Sequence, residues 1–188
     1  MTDSALFDLT LHDETTAPGE AAALLADAKK GLGFVPNMYA NMANLPAVLK
    51  GYLEGYAAFR STTGFTPVEQ EVVFLTVSHL NGCRYCTAAH SMIADKMSKV
   101  PADILEALRA GATLPDAKLE TLARFTREMV EYRGQPSADA VKAFRDAGYT
   151  AEQALGVVLG IATKTFSNYV NHLAGTEVDP AFAAYKLA

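Results

Sequence analysis

The sequence predicts an all-α fold, a bundle of many helices, and three observations support this class. Two capping boxes, one from Thr66 to Glu69 and one from Thr150 to Gln153, each mark the start of a helix. An apolar stripe recurs every three or four residues, as in a half-buried helix: Leu119, Leu122, Phe125, Met129 and Tyr132. No run of alternating β-branched residues lies between turn signals, so we predict no strand.

Proline and glycine residues set the bounds of the predicted helices in the first half of the chain. Proline is favoured at the first helical position, and glycine is favoured just after the last. The predicted helices span residues 20–32, 36–44, 46–63, 67–80 and 83–97. The Asn81-Gly82 pair predicts a tight turn between the last two of these helices.

The second half of the chain predicts four more helices. They span residues 101–110, 115 or 116 to 133, 137–147 and 150–174, and the first three end at Gly111, Gly134 and Gly148. In the last and longest helix, six apolar residues share one face: Leu155, Leu159, Ala162, Phe166, Tyr169 and Leu173. Val157, Val158 and Ile161 make its first half apolar nearly all round, which predicts a central position in the bundle.

The domain organisation predicted for the 188 residues is a single helical domain over residues 1–188. Residues 1–18 predict an irregular lead-in, and no low-complexity linker follows. Residues 66–98 and 116–174 each begin with a long apolar helix that is followed by another helix. That similarity favours an internal duplication of helix pairs without establishing one.

Composition and charge exclude several classes of protein. Half of the residues are apolar and a fifth are charged, which is typical of a folded chain and not of a disordered one. No apolar run approaches the ~18 residues of a membrane span, and the first residues lack the pattern of a signal peptide. The formal charge of −5 without a basic cluster argues against nucleic acid as a partner. We therefore expect a cytoplasmic protein that binds neither a membrane nor nucleic acid.

The main chemical feature is the segment from Cys83 to His90, which holds both cysteines of the chain. Cys86 and His90 are four residues apart, so a helix places them on one face, where an imidazole can accept the thiol proton. Cys83 lies at the start of the same helix, three residues before Cys86. Two thiols at this spacing are within disulfide reach, and the pair is therefore a candidate redox couple.

Glu71 is the candidate partner of His90. It lies in the helix before the Asn81-Gly82 turn, which folds the two helices back on each other. At a rise of ~1.5 Å per residue, Glu71 and His90 lie at distances from the turn that differ by several ångströms along the helix axes. A glutamate side chain and a water can bridge that gap. Glu71 could then orient His90 and accept its proton.

Each residue also has a simpler structural interpretation. The cysteines could be two small buried side chains, and Glu71 could be a carboxylate favoured by the helix dipole. A zinc site built on Cys83, Cys86 and His90 would need a fourth ligand, which only His79 or His172 could supply. We interpret His79 instead as a core or interface histidine, and His172 as a partner of the carbonyl groups at the end of its helix. Tyr85 is interpreted as a packing residue. We expect no cofactor and no metal.

The four positions Glu71, Cys83, Cys86 and His90, with Asn81-Gly82 before the first cysteine, resemble the core of the AhpD-like alkylhydroperoxidases. That family belongs to the carboxymuconolactone decarboxylase superfamily, whose domain would cover residues 45–97 here. Residues 32–37 and 166–171 also resemble the branch called peroxidase-related.

The resemblance implies a thiol-dependent peroxidase that reduces organic hydroperoxides. It implies that Cys86 attacks the peroxide, that Cys83 resolves the product as a disulfide, and that Glu71 and His90 relay protons. Well-studied members have a histidine where Tyr85 stands, which leaves the detailed relay open. Two alternatives remain, namely a redox sensor without turnover and a cofactor-free decarboxylase-like enzyme that uses His90 as a base.

The resemblance also implies partners, which are a dithiol or lipoyl-type reductant and further copies of the chain. A homo-oligomer is expected, with a hexamer favoured over a trimer or dimer. Five large side chains of the early helices support this, because a small core would not hide them all: Tyr39, Met42, Tyr52, Tyr56 and Phe59.

Overall fold

The computed structural model describes residues 5–187, and it contains nine α-helices and one 3-10 helix over that range. The α-helices are α1 (Ala21–Leu32), α2 (Asn37–Met42), α3 (Pro46–Thr62), α4 (Pro67–Leu80), α5 (Arg84–Lys96), α6 (Ala102–Ala110), α7 (Ala117–Glu131), α8 (Ala138–Asp146) and α9 (Ala151–Ala174). The 3-10 helix spans Pro180–Tyr185. The predicted all-α class is confirmed, and both predicted capping boxes form at Thr66 and Thr150. Residues 1–4 of the predicted lead-in lie outside the described residues.

Helix α4 occupies the centre of the bundle. Every residue from 69 to 78 is buried, because α5, α6, α7 and α9 all pack against this helix. One apolar cluster joins α4 to α6, α7 and α8, and a second joins α1, α2 and α3 to the first half of α5. Helices α4 and α5, which contribute to these clusters, also carry the buried polar residues Glu71 and His90.

Helix α9 contacts many neighbours, as predicted, but the predicted apolar face is not the buried one. Leu155, Phe166 and Tyr169 are 70, 40 and 55 % exposed. The buried face instead holds small and polar residues: Gly156, Val157, Gly160, Thr163, Lys164, Ser167, Asn168 and Asn171. The reason is close approach, because a Cβ atom on Gly160 would lie 2.8 Å from side-chain atoms of Phe59 and Val73. Helices α3, α4 and α9 can pack this tightly only where α9 offers small side chains.

The aromatic residues of α2 and α3 also differ from the expectation. We expected more large side chains here than the core of one chain could bury. In the single chain, however, Tyr52 and Phe59 are buried, and Tyr39 and Tyr56 are half-buried. The rings of Tyr39 and Tyr52 meet edge-on at a centroid distance of 5.7 Å, and the ring of Tyr56 lies tilted to that of Tyr52 at 5.9 Å. These residues therefore form an internal aromatic wall and are not an exposed interface.

The segment after α9 returns to the middle of the bundle. Arg109 Nη1 donates hydrogen bonds to Ser91 Oγ at 2.7 Å and to the carbonyl of Tyr185 at 2.9 Å, which holds the 3-10 helix against α5. Phe182 of that helix is buried. Among residues 5–187, none of the helices is long and apolar enough to cross a membrane.

Candidate active site

The turn between α4 and α5 brings the predicted site residues together. Gly82 has a positive φ of 66°, a backbone conformation that glycine adopts without strain. Cys83 is the N-cap residue of α5, and its backbone nitrogen donates to the carbonyl of Ser78 at 2.9 Å. The Thr87 hydroxyl donates to the carbonyl of Cys83 at 3.0 Å. Cys83 and Cys86 are thereby fixed in the first turn of α5.

The two thiols are free, buried and in contact with the same amide group. Asn171 Nδ2 of α9 donates to Cys86 Sγ at 3.3 Å and lies 3.7 Å from Cys83 Sγ. The Cys83 thiol also hydrogen-bonds to the Cys86 sulfur. Donors that converge on Cys86 favour a negative charge on that sulfur.

The environment separates the pKa values of the two thiols. Burial alone would raise the pKa of Cys86, but the Cys83 thiol and the charge of Lys164 hold it well below its usual value. The hydrogen bond to Cys86, together with burial, raises the pKa of Cys83 far above its usual range. When the pair carries one proton, these opposite shifts favour Cys83 as the thiol and Cys86 as the thiolate.

Lys164 is a fully buried lysine at this site. Within residues 5–187 its Nζ has no hydrogen-bond partner, and it lies 5.4 Å from the centroid of the Phe74 ring. A buried ammonium without a partner is costly, so its presence calls for a compensating negative charge nearby. The Cys86 thiolate supplies that charge when the pair is reduced.

Glu71 and His90 are in direct contact, closer than the helix geometry predicted. The Glu71 carboxylate is fully buried, its Oε2 lies 2.9 Å from His90 Nδ1, and its Oε1 lies 2.5 Å from Arg60 Nη2. Burial alone would raise the pKa of Glu71, but the contacts with His90 and Arg60 hold it below its usual value. Arg60 itself stacks over the rings of Tyr56 and Phe74.

His90 is held in its neutral form. Burial and then the charge of Lys164 lower its pKa, and these effects outweigh the carboxylate of Glu71. A neutral His90 that donates its Nδ1 proton to Glu71 keeps an unprotonated Nε2, which can accept a proton. The contact with Glu71 therefore selects the tautomer that can act as a base.

Tyr85, between the cysteines, is engaged elsewhere. Its hydroxyl donates to Asp179 Oδ2 at 2.5 Å, and its ring meets Phe182 edge-on at 6.1 Å. Asp179 also accepts hydrogen bonds from the backbone nitrogen of Asn37 at 3.2 and 3.3 Å. Tyr85 thus ties α5 to α2 and to the segment after α9, in agreement with its interpretation as a packing residue.

Two further histidines have other surroundings, since His79 lies against Gly111 and His172 lines a smaller cavity that Cys83 also lines. His79 is exposed, not buried as a core residue, and its ring packs so closely on Gly111 that a Cβ there would lie 2.1 Å from Nε2. His172 is half-buried near the end of α9. Over the part of the chain that the structure describes, no group of three His, Cys, Asp or Glu residues could hold a metal ion.

A cavity of about 600 Å³ opens beside Cys86 and His90. Its wall is mainly aromatic and apolar, and its polar lining includes Cys86, His90, Arg60 and Lys164. Such a cavity suits an apolar or aromatic molecule whose reactive group meets the thiolate, because apolar walls with a few convergent polar groups are typical of small-molecule sites.

Sequence reasoning missed four residues of this site: Arg60, Lys164, Ser167, whose side chain lowers the pKa of Cys86 through a hydrogen bond, and Asn171. The last three lie on the buried face of α9. Their spacing of three, four and seven residues was a usable signal, since it places a lysine, a serine and an asparagine on one face. Arg60 gave no comparable signal, because its contact with Glu71 depends on how α3 packs against α4.

A comparison with known families matches the central part of the chain to one of them. Residues 46–128 match the carboxymuconolactone decarboxylase family. Among curated proteins, none matches this chain with significance.

Several solved structures share the fold. The chain is similar to an uncharacterized peroxidase-related protein with an alkylhydroperoxidase AhpD core from Ralstonia eutropha JMP134, at 20% identity and a TM-score of 0.82, over 95% of each chain. An uncharacterized peroxidase-related protein from Silicibacter sp. TM1040 matches at 20% identity and a TM-score of 0.78, over 95% of this chain and 93% of that one. The debrominase Bmp8, in its apo form, matches at 18% identity and a TM-score of 0.77, over 94% and 95% of the two chains.

Proposed function

We propose, from the match of residues 46–128 to the carboxymuconolactone decarboxylase family and from the AhpD-like fold, that the chain is a thiol-dependent peroxidase acting on organic hydroperoxides. The observation that supports this most strongly is the pairing of a stabilised Cys86 thiolate with the Cys83 thiol in one helical turn. A thiolate is the reactive form toward peroxides, and a second thiol beside it can resolve the product.

The first step is attack by Cys86 on the peroxide. The Cys86 sulfur bonds to the terminal oxygen of ROOH, the O–O bond breaks, and RO⁻ leaves. A proton from water reaches the leaving oxygen by way of Nε2 of His90, which Glu71 holds in the required tautomer. The products are the sulfenic acid of Cys86 and the alcohol ROH.

The second step closes the disulfide. The Cys83 sulfur attacks the sulfenic sulfur of Cys86, and water leaves with the hydroxyl and the Cys83 proton. Two thiols thereby supply the two electrons that reduce ROOH to ROH and water. A dithiol or lipoyl-type reductant would then restore both thiols.

The aromatic cavity favours bulky substrates over hydrogen peroxide. Tyr39, Tyr52 and Phe34 line it together with several methionines, so an alkyl or aryl group gains free energy by leaving water. We therefore expect cumene hydroperoxide to be reduced with a lower KM than hydrogen peroxide.

Steady-state reduction of cumene and tert-butyl hydroperoxide with dithiothreitol as donor tests the proposal. The proposal is supported if the wild-type protein reduces these hydroperoxides continuously and the Cys86→Ser variant does not. A wild-type protein that forms the disulfide without turnover favours the alternative of a redox sensor. A protein whose thiols do not react with hydroperoxide contradicts the proposal.

Reductive dehalogenation is the second candidate function. A cysteine-to-alanine variant of the debrominase Bmp8, solved with 2,3,4-tribromopyrrole, matches at 17% identity and a TM-score of 0.79, over 97% of each chain. The aromatic cavity next to Cys86 is the observation here that favours a similar ligand. Two thiols can convert an aryl bromide to the arene and HBr with formation of one disulfide. Bromide release from 2,3,4-tribromopyrrole by the reduced protein tests this alternative.

We also propose that the protein is a homo-oligomer, with a hexamer favoured, and that the exposed apolar face of α9 forms an interface. Leu155, Phe166 and Tyr169 of that face are exposed in the single chain. The backbone nitrogens of Leu6 and Phe7 bond to the carbonyl of Leu173, which brings two more exposed apolar side chains to the same end of α9. An apolar patch of this kind is typical of an interface.

A further inference from the structure

The two cysteines of the redox pair line different cavities. The aromatic cavity is lined by Cys86 but not by Cys83. A second cavity of about 390 Å³ is lined by Cys83 but not by Cys86. Tyr85, which stands between the cysteines in sequence, lines both cavities and forms part of the wall between them.

The second cavity has a different chemical character from the first. It lies between the start of α5, the end of α9 and the last described residues, and most of its lining is polar: Arg84, Asn171, His172, Thr176, Glu177 and Lys186. The apolar group of a large hydroperoxide gains no free energy by entering this polar cavity, whereas a polar molecule finds hydrogen-bonding partners there in place of water.

Asn171 gives a second, independent indication of a ligand in this cavity. The residue is buried, its Nδ2 reaches the cysteine sulfurs, and its Oδ1 has no hydrogen-bond partner among the described residues. A buried acceptor without a partner is costly unless a ligand or water supplies a donor. Because Asn171 lines the second cavity, a donor that enters there can reach a point beside Cys83.

We propose that the second cavity receives the polar thiol that reduces the disulfide, and that this thiol attacks Sγ of Cys83. The inference rests on the proposed function, because it requires the disulfide between Cys83 and Cys86. The thiolate RS⁻ bonds to the Cys83 sulfur, the S–S bond breaks, and its electron pair leaves with Cys86. A second thiol then attacks the sulfur of R, which releases Cys83 and the oxidised reductant RSSR.

The stability of the departing thiolate also favours attack on the sulfur of Cys83. Thiol–disulfide exchange is faster when the departing sulfur is the better stabilised thiolate. Asn171 Nδ2 lies closer to Cys86 than to Cys83, at 3.3 against 3.7 Å, and the buried Lys164 lines the cavity of Cys86. Attack on Cys83 expels the stabilised thiolate, whereas attack on Cys86 would expel the less stabilised one. Oxidant and reductant thus act from opposite sides of one disulfide.

A peptide map of the mixed disulfide tests the inference directly. The disulfide is formed with diamide, the protein is mixed briefly with 2-mercaptoethanol, and free thiols are blocked with N-ethylmaleimide. Trypsin cleaves after Arg84, so Cys83 and Cys86 fall in separate peptides. We expect the mercaptoethanol adduct on Cys83 and the maleimide on Cys86. The opposite distribution would overturn the inference.

A variant at the mouth of the second cavity provides the kinetic test. Lys186 is exposed and lines this cavity, so Lys186→Trp narrows the entrance, and Lys30→Trp on the surface of α1 is the matched control. We expect reduction of the diamide-formed disulfide by glutathione to slow about tenfold in Lys186→Trp, the change produced by ~1.4 kcal/mol of barrier, and to be unchanged in the control. Equal rates in both variants would contradict a route through this cavity.

The two proposals fail in different experiments. Diamide forms the disulfide without any hydroperoxide, so the adduct map and the glutathione rates do not depend on peroxidase activity. A protein that hydroperoxides do not oxidise would contradict the proposed function only. An adduct on Cys86 in a protein that reduces cumene hydroperoxide would contradict the cavity assignment only.

Discussion

The Nδ2 atom of Asn171 lies 3.3 Å from Sγ of Cys86 and thereby connects the end of α9 to the first turn of α5. Asn171 is buried, so water does not compete for this contact. A donor fixed in this way stabilises a negative sulfur more than a neutral one. The reactivity of Cys86 therefore depends on a residue 85 positions away in the sequence.

We expect Asn171→Ala to raise the pKa of Cys86 by about 1 to 2 units, because a hydrogen bond to a charged group contributes ~1.5–3 kcal/mol. The pH dependence of alkylation by iodoacetamide, measured in the Cys83→Ser background, reports this pKa. Asn44→Ala is the control, since the Asn44 amide bonds to Thr10. An identical pH profile in the two asparagine variants would contradict the role of Asn171.

The two cysteine variants should differ in what they retain. We expect Cys86→Ser to abolish hydroperoxide turnover, and Cys83→Ser to allow one oxidation and then stop, because only Cys86 shares a helix face with His90 one turn away. Labelling with dimedone, which reacts with sulfenic acids, should mark Cys86 in the Cys83→Ser variant. A sulfenic acid on Cys83 in the Cys86→Ser variant would reverse the assignment.

Lys164→Met should separate stability from activity. Replacing an unpartnered buried ammonium with an apolar chain of similar length should raise the Tm of the oxidised protein, in which no thiolate compensates the charge. The same variant should raise the pKa of Cys86 and slow its oxidation by cumene hydroperoxide about tenfold or more. Lys30→Met serves as the control. A Lys164→Met variant with lower Tm and unchanged oxidation rate would contradict the assigned role.

The sequence predicted the ends of the α-helices because the residues that start and stop a helix lie at those ends. The proline, glycine and capping residues placed the ends of the helices within two residues of those observed, and both capping boxes form. The spacing of Cys83, Cys86 and His90 within one helix likewise needed no tertiary information.

Tertiary packing explains what the sequence did not predict. Apolar periodicity gave the wrong buried face of α9, because the close approach at Gly160 favours small residues over large apolar ones. The exposed stripe is apolar, so periodicity alone cannot separate it from a core face. Similarly, the direct contact between Glu71 and His90 depends on the distance between α4 and α5, which residue counting along each helix could only approximate.

The ion pair of Glu71 with Arg60 predicts a pH-dependent stability. The folded pKa of Glu71 is below the ordinary 4.5, so the ionised carboxylate stabilises the fold above that pH, and this contribution is lost as the pH falls through the folded pKa. We expect Glu71→Gln to lower the free energy of unfolding at pH 7 by about 3–5 kcal/mol, because it removes the buried carboxylate that pairs with Arg60 and leaves that guanidinium only its neutral partners Tyr56 and Gln70. Urea denaturation at pH 7 and pH 4 checks this.

The difference between wild type and Glu71→Gln should narrow at pH 4, because this pH lies below the ordinary pKa of 4.5 and the Glu71 carboxyl of the unfolded wild-type chain then binds a proton. Glu54→Gln on the exposed side of α3 is the matched control and should leave the unfolding free energy unchanged at both pH values. A difference for Glu71→Gln that is the same at both pH values would mean that the charge of Glu71 contributes nothing, and that the loss comes from packing alone.

The exposed face of α9 predicts assembly. The mass of one chain is 20.1 kDa, and we expect light scattering at micromolar concentration to give a multiple of it, with a hexamer favoured. Tyr169→Glu should shift the protein toward the monomer, because burying an unpaired carboxylate in an apolar interface is costly. Tyr132→Glu changes a residue of similar exposure at the end of α7; this variant is the control and should assemble normally.

A wild-type mass near 20 kDa would contradict the proposal, and dissociation in the Tyr132→Glu variant alone would place the interface at the end of α7. Because Ser167 and Asn171 lie on the opposite face of the same helix, a monomeric Tyr169→Glu protein also reports whether assembly supports the thiolate of Cys86.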